Sequence, residues 1–335
     1  MKIATFETTP EDPIGPRLGL VLEDGSVADL SLALTILEAD HRDPRAMALR
    51  SKWGRDGLLG FLRTGEESIG AAKRVAEFIG EKVEQGVALE GARGTPVVHA
   101  GDRVRFHPPV RRPGKIIAMG LNFEDHILEN PSAPRPRYPM GFLQAASTLI
   151  GNETPVVYPR DTSELDYEVE VAVVIGKGGK NIPPERALEH VAGYTIFNDL
   201  SARDIQRGEM KIGLLVMGKN LDGLAPMGPY LVLADEVPDP HDLTLECWVN
   251  DEAEPRQRGS TRNLIFRIPE LIAHWSKMTL EPGDIITTGT PSGVATFRTP
   301  REDFYLKPGD TVRCVVSRLG ELRNPIIAEP AAEAA

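Results

Sequence analysis

The chain lacks a cysteine framework: its 335 residues include two cysteines, Cys247 and Cys314, far apart and outside any CxxC or other metal-ligand spacing. That argues against a disulfide scaffold and fits a reducing compartment. It also lacks positive charge. Lys plus Arg number 38 against 49 Asp plus Glu, for a formal charge of −11. This argues against a nucleic-acid or anionic-membrane partner, while a local positive site for a small anion stays possible. Long apolar runs are missing as well. No stretch of about 18 apolar residues is available to span a bilayer, and the opening MKIATFETTPEDPIG has no apolar signal-peptide core. The expectation is a soluble, cytoplasmic protein, and 41% hydrophobic with 26% charged residues is an ordinary globular composition. A chain this long can bury a large core, and two unequal domains are the natural division.

What is present is organised in two textures. Asp24-Gly25, between the apolar runs of RLGLVLEDGSVADLS, signals a hairpin. From Leu32 to Gln85 the pattern turns helical, with Ile69, Ala72, Ala76, Ile79 and Val83 at 3.6-residue spacing and Gly86 as a stop. This helical stretch reads as scaffold. A boundary is expected between Gly91 and Gly114, after which Val, Ile, Thr, Gly and Pro predominate. Three Gly-Asp turns, in AGDRVRFH, PGDIITTG and PGDTVRCV, each precede a β-branched run. Helical pieces such as PPERALEHV and TRNLIFRIPELIAHWSKM make the class α+β with β dominant, and the tail AEPAAEAA reads as frayed.

One strand carries a contradiction. In SELDYEVEVAVVIGKGGKN, the residues Asp166, Glu168 and Glu170 alternate, so an extended backbone sends all three carboxylates from one face, which then continues as Ala172 and Val174. Such a partly buried acidic face must take up protons, find Arg or Lys partners, or bind a cation. An all-oxygen site suits Mg²⁺, Mn²⁺ or Ca²⁺. Asp199, at the end of the β-like run GYTIFND, is either a further ligand or a cap for the helix that follows. In KIIAMGLNFEDHILEN, a strand, a glycine turn and a helical start place His126 and Glu129 at i and i+3, where the carboxylate can orient the imidazole. TTGTPSGV is a glycine-rich turn whose amides and Thr290 hydroxyl can hold a carboxylate, and Lys219 lies in a loop-like stretch. GKGGKN at Gly176 does not have Walker spacing.

In order and wording these stretches resemble the fumarylacetoacetate hydrolase family, from about Lys115 to Val316. The matching pieces are GLNFEDHILE, DYEVEVAVVIGK, GYTIFNDLSARDIQ, KNLDGLAPMGPYLV and GDIITTGTPSGV. The resemblance implies that Glu168, Glu170 and Asp199 hold a divalent cation, Mg²⁺ or Mn²⁺ and sometimes Ca²⁺. It implies a water-activating His126–Glu129 dyad, with Lys219 as a catalytic cation and Arg203, Gln206 and Thr290 around the substrate, where Gln144 is expected as a further substrate contact. The implied fold is a mixed, barrel-like β roll with few flanking helices over 106–330, behind a smaller α+β domain with a helical insertion over 1–105, in a homodimer. The implied activity is hydrolysis of a C–C bond in a 1,3-dicarbonyl acid of acylpyruvate or fumarylacetoacetate type, through a metal-held enolate, as in the catabolism of aromatic compounds. Decarboxylation or isomerisation of an oxaloacetate- or hydroxymuconate-like acid, and a non-catalytic metal- or ligand-binding relative, are the alternatives. One departure stands out: GFLQAASTLIG puts Gln144 and Ala145 where many family members carry Lys-Pro. Phe123 likewise replaces a common tyrosine.

Overall fold

Gly25 takes φ +84° and turns the chain between the antiparallel strands Arg17–Val21 and Val27–Asp29, as the Asp-Gly signal requires. The computed structural model describes residues 1–9, 14–39, 44–130 and 135–330; His41 and the last five residues of the tail lie outside these. The expected helix runs Glu66–Glu84. Gly86, at φ +67°, ends it with a paired reversal: its amide meets the Val83 carbonyl at 3.0 Å and the Val87 amide meets Lys82 at 2.9 Å. The buried face is Ser68, Ala71, Ala72, Val75 and Ile79, whereas Val83 is exposed. The expected stripe is thus rotated, because the helix packs against both Leu30–Leu37 and Leu58–Thr64.

Among the described residues, twelve strands form one mixed sheet. Its path runs Val98–His99, Val27–Asp29, Arg17–Val21, Lys2–Thr8, Ala225–Leu233, Val191–Asn198, Val169–Ile175, Ile285–Thr287, Ile116–Gly120 and Met140–Gln144. Ile285–Thr287 and Ile116–Gly120 pair in parallel, and the acidic strand pairs antiparallel with both of its neighbours. A second sheet of five strands, Gln257–Ser260, Thr244–Val249, Thr311–Val316, Gly320–Ala328 and Val156–Tyr158, packs against the first. The fold is β-rich with mixed sheets, and its path is open rather than a closed barrel.

The two faces of the acidic strand lead into different cores. Val169, Val171, Val173 and Ile175 join the cluster between the two sheets. Ala172 and Val174, on the carboxylate side, join a second cluster with Leu30, Trp53, Phe61, Val75 and Ile79 from the helical layer. Each buried side chain of this size contributes about 1.5–3 kcal/mol. Lys2–Thr8 pairs with Ala225–Leu233, so strands from before and after residue 105 share one sheet.

Candidate metal centre and active site

Asp166, Glu168 and Glu170 are all buried, but only Glu170 lies within the strand Val169–Ile175; Asp166 belongs to the short strand Leu165–Asp166, and Glu168 falls between the two, so the expected single strand of three acids is interrupted. Asp166 is matched by protein groups: Arg203 Nε at 2.8 Å and the amides of Ala295 and Thr296 at 2.8 and 3.1 Å. Glu168 receives Arg203 Nη2 at 2.5 Å and Lys219 Nζ at 2.7 Å. Asp199 caps no helix. It receives Lys219 Nζ at 2.7 Å and Gln144 Nε2 at 2.7 Å. Glu170 accepts the Gly289 amide at 3.1 Å through Oε2, while its Oε1, although buried, has no partner. Glu168, Glu170 and Asp199 each offer an oxygen, all within 4.8 Å of one another.

Four buried carboxylates thus face two buried cations, Arg203 and Lys219. Burial raises the Glu168 carboxyl, but Arg203 and then Lys219 overcome it and hold the group down at about 2. For Asp199 burial prevails over Lys219, and the carboxyl is pushed up to about 6. Glu170 is driven well above the usual range by burial, then by Asp199 and Glu168. Burial works against the Lys219 ammonium too, yet Asp199 and Glu168 raise its affinity for the proton. With all four ionised the imbalance amounts to two negative charges, which burial and mutual repulsion answer by raising Glu170 and Asp199, and Glu170 Oε1, enclosed, has no hydrogen-bond partner there. A hard divalent cation with oxygen ligands fits both features.

The short helix Glu124–Glu129 follows the buried strand Ile116–Gly120 and carries the dyad. His126 Nδ1 and Glu129 Oε2 are 2.7 Å apart, and Glu129 Oε1 accepts the Gly293 amide at 2.8 Å. The imidazole lies close enough to the metal-centre carboxylates to help lower Glu168. Phe297 packs on the ring, 5.8 Å between centroids.

The glycine-rich turn behaves differently from its expected role as a cradle for a substrate carboxylate. Three of its amides hold carboxylates of the protein: Gly289 on Glu170, Ser292 on Asp125 and Gly293 on Glu129. The Thr290 hydroxyl donates to the Val169 carbonyl at 3.0 Å and accepts from Gln257 Nε2 at 2.8 Å. Arg203 and Gln206 meet each other at 3.0 Å, so Arg203 has Asp166, Glu168 and Gln206 as partners. Lys219 is 2% exposed, not the solvated loop lysine that its setting suggests.

Two supporting residues escape a reading of the sequence. Gln257 ties the Val169 amide, Thr290 and the Pro291 carbonyl together, and it sits in DEAEPRQRGS without a motif. Glu209 lies i+3 from Gln206 and i+6 from Arg203 on the helix Arg203–Met210. Its carboxylate collects the amides of Val216, Met217 and Gly218 at 2.9, 2.6 and 3.2 Å, which fixes the segment leading into Lys219. Only the helical spacing hints at it. Gly218 is needed there, since a Cβ would come within 2.7 Å of the Gln206 amide nitrogen.

The five motif pieces meet in one place, and residues 115–327 match the model of the fumarylacetoacetate hydrolase C-terminal family. The chain belongs to this family. It is 41% identical over 94% of its length to human mitochondrial oxaloacetate tautomerase FAHD2A, covering 88% of that protein. It is 37% identical over 92% of its length to oxaloacetate tautomerase YisK of Bacillus subtilis, covering 95% of that protein. The crystal structure of maleylpyruvate hydrolase from Sphingobium sp. SYK-6, in complex with manganese(II) and pyruvate, matches with a TM-score of 0.71 at 29% identity. That match covers 98% of this chain and all of the other. As a family member with relatives of this kind, the protein is an enzyme. Among the described residues, no helix is long and apolar enough to cross a membrane.

Proposed function

We propose that the protein is a divalent-metal-dependent keto–enol tautomerase of a small 2-oxo dicarboxylate of the oxaloacetate type. What supports this over C–C hydrolysis is that Lys219 has no N–H to spare: its ammonium meets Glu168 Oε2 at 2.7 Å, Asp199 Oδ2 at 2.7 Å and the Asp199 carbonyl at 3.0 Å. Hydrolysis builds a tetrahedral oxyanion and calls for donors aimed at it. Arg203 and the Thr290 hydroxyl are likewise engaged by protein acceptors.

Tautomerisation asks less: a base that takes a proton from the carbon between two carbonyls and a route for its return. His126 has that form. Glu129 fixes the ring through Nδ1, which leaves Nε2 to carry the proton. As C3 loses its proton, negative charge moves to the 2-oxo oxygen; reprotonation at that oxygen gives the enol, and reprotonation at C3 restores the keto acid. A bound divalent cation, held by Glu168, Glu170 and Asp199, would supply Lewis-acid polarisation of the 2-oxo group. Arg203 and Lys219 reduce the negative charge that a dianionic substrate meets on entry. The two relatives named as oxaloacetate tautomerases support the choice of substrate.

The test is ultraviolet monitoring of enol-oxaloacetate decay with added Mg²⁺ or Mn²⁺. Metal-dependent acceleration, lost in His126→Ala, is expected, and its absence in the wild type would overturn the reading. Hydrolysis of an acylpyruvate is the second reading, since the same dyad can activate water and the maleylpyruvate hydrolase structure shares the fold. ¹⁸O from labelled water appearing in the acid product would favour it. A homodimer is part of the proposal. The edge strand Met140–Gln144 exposes Met140 and Leu143, and the segment that leads to Lys219 exposes Ile212, Leu214 and Met217. Light scattering in solution tests it.

A further inference from the structure

The helix that carries the dyad has little of its own to hold it. Glu124–Glu129 spans six residues, none of them buried, and no side chain caps it at Phe123. A helix this short is not stable by itself. Its entry is fixed by Asn122, which donates to the Thr288 and Phe266 carbonyls at 2.9 and 3.2 Å and accepts the Phe266 amide at 2.9 Å. Past that point the helix is bonded to the glycine-rich turn through two carboxylates. Asp125 Oδ2 accepts from Ser292 twice, from the amide at 3.3 Å and from the hydroxyl at 3.1 Å. Glu129 Oε1 accepts the Gly293 amide at 2.8 Å. Asp125 and Glu129 stand at i and i+4, so the two contacts fall on one face of the helix, a turn apart.

We infer that Asp125 is a positioning residue for the dyad. Both oxygens of Glu129 are committed, one to the Gly293 amide and the other to His126 Nδ1 at 2.7 Å. A helix seated on the turn by Glu129 alone is free to pivot about that contact, and the pivot carries the imidazole with it. The Ser292 contact, a turn earlier and next to His126 in the chain, removes this freedom. The turn is itself braced, since the Thr290 hydroxyl donates to the Val169 carbonyl and Gln257 Nε2 donates to Thr290 and the Pro291 carbonyl. Its Gly289 amide meets Glu170. Asp125 therefore registers His126 against a rigid segment that also places a carboxylate of the candidate metal centre. Proton abstraction needs the base nitrogen within about 3 Å of the donor atom, and a misplacement of about 1 Å costs up to about a hundredfold in rate. Asp125 acts through the place of the helix, not on the proton itself.

The inference rests on the reading of His126 as the base, and the experiment separates the two. Full-length wild type, Asp125→Leu and Asp125→Asn are compared with Mg²⁺ present, each checked by circular dichroism and thermal melting. One readout is kcat and KM for enol-oxaloacetate. The other is the His126 Nδ1 proton in the NMR spectrum, assigned with His126→Ala, which reports the bond to Glu129 without turnover. The leucine variant should lose about ten- to a hundredfold in kcat, with KM, Mg²⁺ affinity and melting temperature near those of the wild type, and its Nδ1 proton signal should broaden or vanish by solvent exchange. The asparagine variant keeps an oxygen for Ser292 and should recover most of both. Wild-type kcat and signal in the leucine variant would overturn the inference. So would a kcat loss with an unchanged signal, or one that comes with an equal loss of Mg²⁺ affinity and is not recovered by asparagine. Should the leucine variant misfold, Ser292→Ala, which removes only the hydroxyl contact, takes its place: a smaller change in the same two readouts supports the inference, and wild-type values in both overturn it. A wild type that does not accelerate tautomerisation overturns the reading of the reaction, and the Nδ1 signal in the variants then decides the role of Asp125 alone.

Discussion

Replacing Glu170 by glutamine is expected to stabilise the metal-stripped protein at neutral pH and to abolish its hold on a divalent cation. Glu170 is fully buried, its Oε1 has no donor, and its carboxyl is driven well above the usual range by burial, Asp199 and Glu168. A raised carboxyl keeps its proton in the folded protein at pH values where the unfolded chain has released it. Stability therefore falls as pH rises past the ordinary carboxylate value, by about 1.4 kcal/mol per pH unit, until the folded group ionises. Asp199 adds a bounded effect of the same sign: its rise from 3.8 to about 6 corresponds to about 3 kcal/mol lost across that window. Glu168 acts in the opposite sense. Held at about 2, it stabilises the fold above its unfolded value of 4.5, and that stabilisation is lost as pH falls towards 2. The glutamine variant keeps a side-chain oxygen for the Gly289 amide and removes the slope due to Glu170. Urea unfolding in EDTA should find it more stable than the wild type at about pH 7, and about equal near pH 4.5. With Mn²⁺ at about 100 times its Kd the wild type should gain about 2.7 kcal/mol and the variant nothing. If the stripped wild type is equally stable at about pH 5 and pH 7, or the variant is the weaker of the two at the higher pH, Glu170 carries no unanswered charge and the argument for the cation loses its electrostatic basis.

His126→Ala should lower tautomerisation by roughly a hundred- to ten-thousandfold, the range for loss of a general base, while leaving Mn²⁺ affinity near that of the wild type, since the imidazole does not lie among the clustered carboxylate ligands. Arg203→Leu should cost about 3–5 kcal/mol in denaturant unfolding, because it leaves Asp166 and Glu168 buried without their shared cation. Arg203→Lys should recover little of this, as an ammonium cannot reproduce the guanidinium's simultaneous contacts to Asp166, Glu168 and Gln206. Glu209→Ala should free the amides of Val216, Met217 and Gly218, seen as about tenfold faster amide exchange or proteolysis there. Lys219 loses its fixed approach in that variant, so turnover should fall with it.

The alternation of Asp166, Glu168 and Glu170 was legible because side chains of an extended backbone alternate, although only Glu170 lies within the strand Val169–Ile175, Asp166 belonging to Leu165–Asp166 and Glu168 falling between them. The turn at Gly25 and the helix stop at Gly86 were legible for the same reason, since each follows from the backbone freedom of one residue. What the sequence could not show was which groups answer the acids. Arg203 stands four residues past Asp199 at the head of a helix, and nothing local says that its guanidinium bridges Asp166 and Glu168. That depends on the short pairing of Leu165–Asp166 with Ser201–Ala202, which sets the helix start against the acidic strand. The place of the N-terminal strand was hidden likewise. Lys2–Thr8 joins a sheet with residues more than two hundred positions later, a pairing that no local pattern announces. The carboxylate-side face of the acidic strand is roofed by the helices before Gly86. The helical stretch that reads as scaffold thus covers the apolar continuation, Ala172 and Val174, of the face from which Glu170 leaves.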